Sequence, residues 1–523
     1  MWLTVLLALV PLAVLLFLLA IVRLTAWLAA VAAGAVALVL GAVVWHAPWS
    51  AMLRSYAYGA LSGAWVINWI TLWGLVIFNT LVVTGDFARF KAWMVHHATA
   101  DIRVQTIMLA WAFGALLEGL VGFGYPWAVV VPILAGLGIA DLEAIRIAAL
   151  ANNAPVSYGA LGIPILALSV VTSLPVMALS ASVGNIVAIL ALLPPWVLIY
   201  LVSGWKGVRE AWPLAIVGSF SYIAGQWPVA HYLGPYLPDL SGALVSFWVL
   251  FGFVKVWSPK TIRGFGGAPL ELLPGADHRS GVAGASAFSV WLPYIVLIAV
   301  VVAWTGPWSH LPSISLFQLS EAARSSVTQK IIHSTFNFNP LSGGTSILAS
   351  WLVILAVLRP GAAELKQVFA KTFHQIWGAM LVALFVFALA YTFVYTGMAN
   401  SLAYGLSKTG VVFVALAPIL GWIGVALSGS NTSTNAMFGP VQAVTGRLLN
   451  MPALLLPSLN SVGAEVGKPI APQTASVGVS TSKFVRSEGA VIRHNMGWTL
   501  IMLGYLVLIA LFFYFLAPGV MML

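Results

Sequence analysis

The chain has 523 residues, 61% hydrophobic and 7% charged, with a mean hydropathy of +1.01, where a soluble domain carries about 25% charged residues; this composition defines a multi-span integral membrane protein. Its net charge of +10 comes from bases scattered through short loops with no basic stripe, which excludes a nucleic-acid partner and suits loops beside anionic lipid. The absence of cysteine excludes disulfides, thiolate catalysis and Cys-ligated metal centres.

The first apolar run, 2–22, lacks a basic flank and a small-residue cleavage pattern, so it reads as a span and not as a secretion signal. A spanning helix needs about 20 mostly apolar residues. Further spans are expected at 24–45, 62–84, 176–202, 211–229, 243–257, 290–304, 345–358, 375–397 and 496–517. Residues 104–139 do not fit a single span. Two apolar arms, Val104–Leu116 and Pro126–Gly138, flank EGLVGFGY. Each arm, at about 20 Å as helix, is too short for a core of about 30 Å, which predicts a re-entrant hairpin. A broken span, 145–168 around NNAPVSYG, follows.

The design recurs. Residues 411–449 form a second hairpin around SGSNTSTN, and 452–478 form a second broken span around NSVGAEVGK. Glu118 precedes Asn152 by 34 positions and Ser428 precedes Asn460 by 32. Each unit crosses five times, and an odd count inverts the second copy. The expected division is 1–202 as the first inverted repeat, 203–289 as connecting helices with a Gly- and Pro-rich cytoplasmic loop, and 290–523 as the second repeat. The outer loop 305–344 reads as having helical patches. The expected fold is therefore all-α, with about 12 transmembrane helices plus two re-entrant hairpins.

Charge tests that topology. Alternate loops place seventeen Lys and Arg on one side, among them Arg23, Arg103, Arg146, Lys206, Arg263, Arg279, Lys483 and Arg486. The other side holds five: Arg54, Arg324, Lys330, Lys408 and Arg447. The positive-inside rule makes the first side cytoplasmic and puts both termini outside the cell membrane.

Within 457–478, three prolines and three glycines interrupt the helix while Asn460, Glu465, Lys468, Gln473 and Thr474 make it polar. Irregular backbone at membrane depth survives where protein or water covers it, as in transporter binding sites; the alternative is a long extramembrane loop. Lys468 is the one base inside a candidate site. It pairs either with a substrate carboxylate or with Glu465, three residues earlier. Glu118, at a hairpin tip with no base within ten positions, is either a proton carrier or a solvated residue bonded to backbone amides. The tips GFGYP (122–126) and SGSNTSTN (428–435) offer helix N-termini that attract anions, and Asn152, Asn153, Ser157 and Tyr158 do similar work on the first break. No GxxxxGK[ST], GxSxG or HExxH pattern is present, so neither direct ATP drive, serine hydrolysis nor a metal site is indicated.

The runs EGLVGFGYPWAV (118–129), NNAPVSYGALGIP (152–164), SGSNTSTNAMFGPVQ (428–442) and NSVGAEVGKPIAPQTASVG (460–478) resemble, in order and spacing, the L-lactate permease family of the ion transporter superfamily. The resemblance implies proton-coupled uptake of L-lactate, with D-lactate and glycolate as related cargo. It also implies inverted repeats, re-entrant hairpins, a homodimer and an elevator-like movement. The chain departs from the family pattern in three places: Asn431 stands where the second tip usually has an acid, Pro469 and Ala471 alter the last motif, and Tyr125 and Trp127 are bulky where small residues are usual.

The expectation is a secondary transporter, without enzymatic activity or cofactor, for a short 2-hydroxy monocarboxylate and a proton. Lys468, Gly122, Gly124, Tyr125, Asn152, Asn153, Ser430, Asn431, Thr432, Asn460 and Gln473 are the expected substrate-binding residues. Glu118 and Glu465 are the expected proton carriers, and no metal site is expected. Sodium in place of the proton, or a passive anion channel, are the alternatives; a membrane enzyme would need clustered acids or histidines at one interface, which the sequence lacks.

Overall fold

The computed structural model describes residues 2–96, 99–122, 124–269, 287–324, 331–480 and 488–523. Phe123 of the first tip and Arg279, Lys330, Lys483 and Arg486 of the charge count lie outside the described residues, as does most of the loop 258–289. The protein is 81% helical. Helices α1 (Trp2–Ala20), α2 (Ala26–Val43) and α3 (Trp49–Val83) open the chain, and α4 (Asp86–His96) follows. The predicted span 62–84 thus begins thirteen residues early, at Trp49. A π-helical segment, Gly63–Asn68, lies within α3. There the backbone of 383–384 comes so close that a Cβ on Gly63 would lie 2.6 Å from Ala383 O.

The first hairpin ascends through α5 (102–120), which includes a π segment at Ile107–Ala112, and returns through α6 (Tyr125–Gly136). The first broken span is α7 (Asp141–Ala151) and α8 (Gly159–Thr172), bent by 66°. Then come α9 (Val176–Leu190), α10 (Pro194–Tyr232), α11 (Pro238–Val256) and α12 (Ala287–Thr305). The predicted spans 176–202 and 211–229 run into one another. Helix α9 ends at Leu190, and α10 continues through two kinks, at Gly204 (φ 66°) and Ala211.

The outer loop 305–344 overturns the expectation of helical patches. Strands β1 (Phe317–Arg324) and β2 (Ile331–Phe338) pair antiparallel, with Phe317 opposite Phe338 and Arg324 opposite Ile331. The sequence IIHSTFNF alternates, and its Ser334 and Phe336 are buried while their neighbours are not, which is the period of a strand and not of a helix. The ribbon docks on α3 through Ser55 Oγ to Ser334 Oγ (2.9 Å) and an Arg54–Glu321 ion pair.

The second half comprises α13 (Gly343–Leu358), α14 (Ala362–Thr396) and α15 (Met398–Ser407). Helix α14 extends past the predicted 375–397 because AELKQVFAKTF is rich in strong helix formers and its start is capped: Gly361 N donates to Glu364 Oε2 at 2.7 Å. The second hairpin is α16 (Phe413–Ser428) and α17 (Asn431–Leu448); the second broken span is α18 (Leu455–Gly467) and α19 (Pro472–Ser480); α20 (Glu488–Phe515) ends the helical set.

Among the described residues, nine helices are long and apolar enough to cross a membrane, or ten if the bent pair counts as one span. The sequence reading of twelve crossings counted α10's two halves separately and included α13, which has only 16 residues. Arm length also departs from expectation. Helix α5 runs 102–120, and Gly410–Ser428 passes as membrane-length at 19 residues. The shortness argued for the first arm therefore does not hold. Helix α5 continues through Glu118 because that carboxylate has a partner, described next.

Candidate functional site

The second break follows from proline chemistry. Pro469 and Pro472 lack backbone N–H groups, so the α18 ladder cannot continue. The chain passes through a 3-10 turn at Lys468–Ile470 and an extended Ala471 (ψ 129°) before α19. The carbonyls released by the break are met by side chains. Thr474 Oγ1 donates to Lys468 O (2.7 Å) and Ala471 O (3.0 Å), Asn495 Nδ2 to Pro469 O (2.9 Å), and Thr499 Oγ1 to Val466 O (2.6 Å). Gly463 and Gly467, spaced as G-x-x-x-G, let α18 lie directly on α16. A Cβ on Gly467 would sit 2.6 Å from Val425 Cγ1 and 2.8 Å from Trp422 O.

The first break uses left-handed backbone instead. After turns at 152–155 and a 3-10 turn at Val156–Tyr158, Ala160 (φ 48°), Leu161 (φ 60°) and Gly162 (φ 79°) all adopt positive φ. Two non-glycine residues there cost about 1–2 kcal/mol each, a strain that cores tolerate at functional positions. Gly159 leaves room for Glu118, since a Cβ on it would lie 2.6 Å from Glu118 Oε1.

The charges cross between the halves of the molecule. Lys468 Nζ donates to Glu118 Oε1 at 2.6 Å, with the two residues 5% and 2% exposed. Asn152 Nδ2 donates to Glu118 Oε2 at 3.0 Å. This replaces the Lys468–Glu465 pair, the alternative to a substrate carboxylate in the sequence reading. Lys468 caps α18 in helical backbone (φ −56°, ψ −34°), yet its ammonium reaches Glu118 of the other half, while Glu465 is taken by Ser157. Glu465 instead faces the first break. Its Oε2 accepts from Ser157 N (3.2 Å) and from the Ser157 hydroxyl, while its Oε1 has no partner. It also corrects the picture of Glu118 as a carboxyl without a base; its base lies 350 positions away in sequence.

Both hairpin tips meet the second break. Gly124 (φ 76°) precedes α6, and a Cβ there would be 3.0 Å from Thr474 Cγ2; Gly429 (φ 76°) precedes α17, and a Cβ there would be 2.6 Å from Gln473 Oε1. Gly122 sits over Ala160 of the first break, 3.0 Å by the same measure. The two amides of Asn153 and Asn431 are buried with neither polar atom partnered among the described residues. Buried polar groups are almost always hydrogen-bonded, so these two ask for a ligand or water.

Other expected residues are differently employed. Ser430 Oγ caps α17, accepting from Ser433 N at 3.2 Å. Asn460 Nδ2 donates to Asn435 Oδ1 (2.9 Å), and its Oδ1 accepts from Gln442 (3.4 Å). Tyr125 is half-buried, its ring 4.5 Å from that of Phe78; Thr432 is half-buried and Gln473 exposed. Sequence reasoning missed Asn435, Ser461 and Thr474 as the groups that hold the breaks. Asn435 Nδ2 donates to Pro164 O (2.9 Å) and Ser461 Oγ (3.0 Å), tying α17 to both breaks. The signal was the polar density of SGSNTSTN itself; which of its residues turns inward needs the fold.

Two broken spans, one joined to the first hairpin by a buried Lys468–Glu118 ion pair and to the other break by Glu465 and Ser157, define a multi-pass helical membrane protein with a buried polar site. Residues 4–518 match the family model described as L-lactate permease, and the chain belongs to that family. It is 34% identical to the glycolate permease GlcA of Escherichia coli K12, covering 95% of this chain and 93% of that protein. It is 31% identical to the L-lactate permease of Bacillus subtilis and 30% identical to that of Escherichia coli K12, in each case covering 96% of this chain and 94% of the relative. Among solved structures, the YdaH transporter of Alcanivorax borkumensis aligns with a TM-score of 0.48 at 15% identity, covering 90% of each chain.

Proposed function

We propose that this protein imports a short 2-hydroxy monocarboxylate, L-lactate with D-lactate and glycolate as related cargo, together with a proton. The observation that carries this reading is the buried Lys468–Glu118 pair beside the unpartnered amides of Asn153 and Asn431. An ammonium already desolvated and paired needs no further desolvation of its own to exchange one carboxylate for another. When the substrate carboxylate takes Lys468, Glu118 loses its counter-charge in a dry site and takes up a proton. Asn153 and Asn431 then serve the substrate hydroxyl and carboxylate. The names of the relatives, lactate and glycolate permeases, agree with a cargo of this size and charge.

In this reading the two hairpin-and-break units are inverted repeats with re-entrant tips, both termini lie outside, and the copies assemble as a homodimer in the inner membrane. Support comes from the recurrence of hairpin and broken span in both halves for the repeat, from the loop charge bias of the sequence for the orientation, and from the family resemblance for the homodimer. Proteoliposome uptake of labelled lactate, with and without an inward acid gradient, tests the function. Accumulation above the outside concentration that tracks the gradient supports proton symport. Replacing sodium by choline at fixed pH without effect excludes sodium coupling, and equilibration without accumulation identifies a passive channel.

A further inference from the structure

A third carboxyl enters the same interior from outside both hairpin-and-break units. Asp239 stands in the first turn of α11, buried, where the sequence LPDLSG reads as an ordinary helix start. Its Oδ1 accepts from the Tyr222 hydroxyl at 3.0 Å, and its Oδ2 has no partner. The start of α11 is pressed against α5 one residue past Glu118: a Cβ on Gly119 would lie 2.8 Å from Asp239 Cβ.

The surroundings form a continuous polar seam. Gln226, one turn beyond Tyr222 on α10, is buried with neither amide atom partnered. Gly242 of α11 makes room for both, since a Cβ there would be 2.9 Å from the Tyr222 ring and 3.1 Å from Gln226 Cβ. A Cβ on Gly184 of α9 would be 3.0 Å from Tyr158 Oη and 3.6 Å from Gln226 Nε2, so Tyr158 closes the seam. Tyr158 donates to Ser180 O (2.5 Å) and adjoins Ser157, the residue that holds Glu465. The titratable groups acting on Asp239 are Glu118 from α5, Tyr222 from α10, and Glu465 and Lys468 from the second broken span. Helix α8 and the π segment of α5, also packed on α11, contain none.

Among the described residues, Glu118, Glu465 and Asp239 thus bring three buried carboxyls to this site against one ammonium, Lys468. Lys468 balances Glu118. An unbalanced buried carboxylate costs several kcal/mol and takes a proton instead. Each of Glu465 and Asp239 keeps one unpartnered oxygen among the described residues, but Glu465 is held by two donors from Ser157, whereas Asp239 has a single side-chain donor and lies against the segment that carries Glu118.

We infer that Asp239 is a second proton-carrying carboxyl, which hands its proton to Glu118 when substrate draws Lys468 away. The inference rests on the proton-coupled reading above. In the step, the O–H bond breaks at Asp239 Oδ2 and forms at a Glu118 carboxylate oxygen; no electrons are transferred and the total charge is unchanged. The Asp239 anion so formed is held by the Tyr222 hydroxyl and by the amide end of α11, where a negative charge is favoured. It regains a proton from the aqueous side that the site next faces.

Asp239→Asn keeps the size and removes the proton. In proteoliposomes, lactate accumulation driven by an acid gradient should fall by about tenfold or more, while exchange of labelled for unlabelled lactate at equal pH on both sides persists. Accumulation equal to that of the unaltered protein overturns the inference alone; a folded variant that loses exchange as well also overturns it, making Asp239 a structural residue. Failure of the unaltered protein to accumulate overturns the proton-coupled reading and this inference with it. Tyr222→Phe gives an independent test should Asp239→Asn fail to assemble. Losing a hydrogen bond to the anion should move the pH midpoint of accumulation upward by about one unit. An unmoved midpoint overturns the assignment.

Discussion

The two breaks solve one problem by opposite means. The second, 467–472, is made by prolines, stays within ordinary backbone conformations and carries the charge, Lys468. The first, 152–162, carries no ionisable group except Tyr158 and is made by residues forced into left-handed backbone at Ala160, Leu161 and Gly162. Neither satisfies itself. Lys468 is balanced by Glu118 from beside the first break, and Glu465 is held by Ser157 from within it. A broken helix carrying charge is thus stable only against a partner that supplies neutral donors and an opposite charge. The two halves of the molecule cannot separate at this site without exposing a buried ion.

Removing Lys468 breaks this cross-pairing most severely. Lys468→Met should leave Glu118 buried and unpaired, a loss of about 3–5 kcal/mol, and abolish lactate uptake. Adding Glu118→Gln to that variant should recover most of the thermal stability but none of the uptake, measured by fluorescence unfolding in detergent. If the double variant is no more stable than the single one, the pair is not what holds the breaks together.

Glu118→Gln by itself separates binding from coupling. The Gln oxygen still accepts from Lys468 and its Nε2 can donate to Asn152 Oδ1 once that amide flips, so lactate exchange should continue, whereas accumulation under an acid gradient should fall by about tenfold or more. A variant that accumulates normally assigns the proton to another group.

Asn153 tests the neutral side of the comparison. Its amide has no protein partner to lose, so Asn153→Ala should leave stability nearly unchanged and raise the KM for lactate by about tenfold, the value of one or two hydrogen bonds to a carboxylate. An unchanged KM with lowered stability would make it a structural residue.

The smallest effect is expected away from the breaks, at the helical stretch between the kinks of α10, which joins two predicted spans and lies outside both. There Arg263 (2.6 Å) and Arg103 (3.1 Å) bind Glu210, and the Arg263 hydrogen bond pulls its carboxyl down to about 2 from an ordinary 4.5. A lowered folded-state value gives stability that is present above pH 4.5 and lost as pH falls toward 2. Glu210→Gln should remove that acid-side loss and flatten the melting temperature between those two pH values. A Tm profile identical to that of the unaltered protein would show the triad contributes nothing measurable.

Much of this was legible in the chain. Composition dictates the membrane, because 7% charge cannot cover a soluble surface. Both breaks were readable, because proline cannot donate and glycine cannot hold a helix. Three things were not. The helical patches expected in the loop 305–344 gave way to a strand pair whose buried side faces α3, a contact that a linear reading does not contain. Helix ends outran the apolar stretches, because propagation continues through any good helix former once nucleated. Asp239 was not singled out, because nothing near it in sequence says that Gly119 will press on it.

The sequence by itself determined that the helices break, where they break and that Lys468 lies inside, since these follow from local backbone chemistry and composition. Only the tertiary structure decided the partners. Lys468 finds Glu118 across 350 positions and not Glu465 across three, because the first half sets Glu118 against the ammonium and Ser157 against Glu465. Burial then rewards whichever opposite charge the packing of the other half brings within hydrogen-bonding distance.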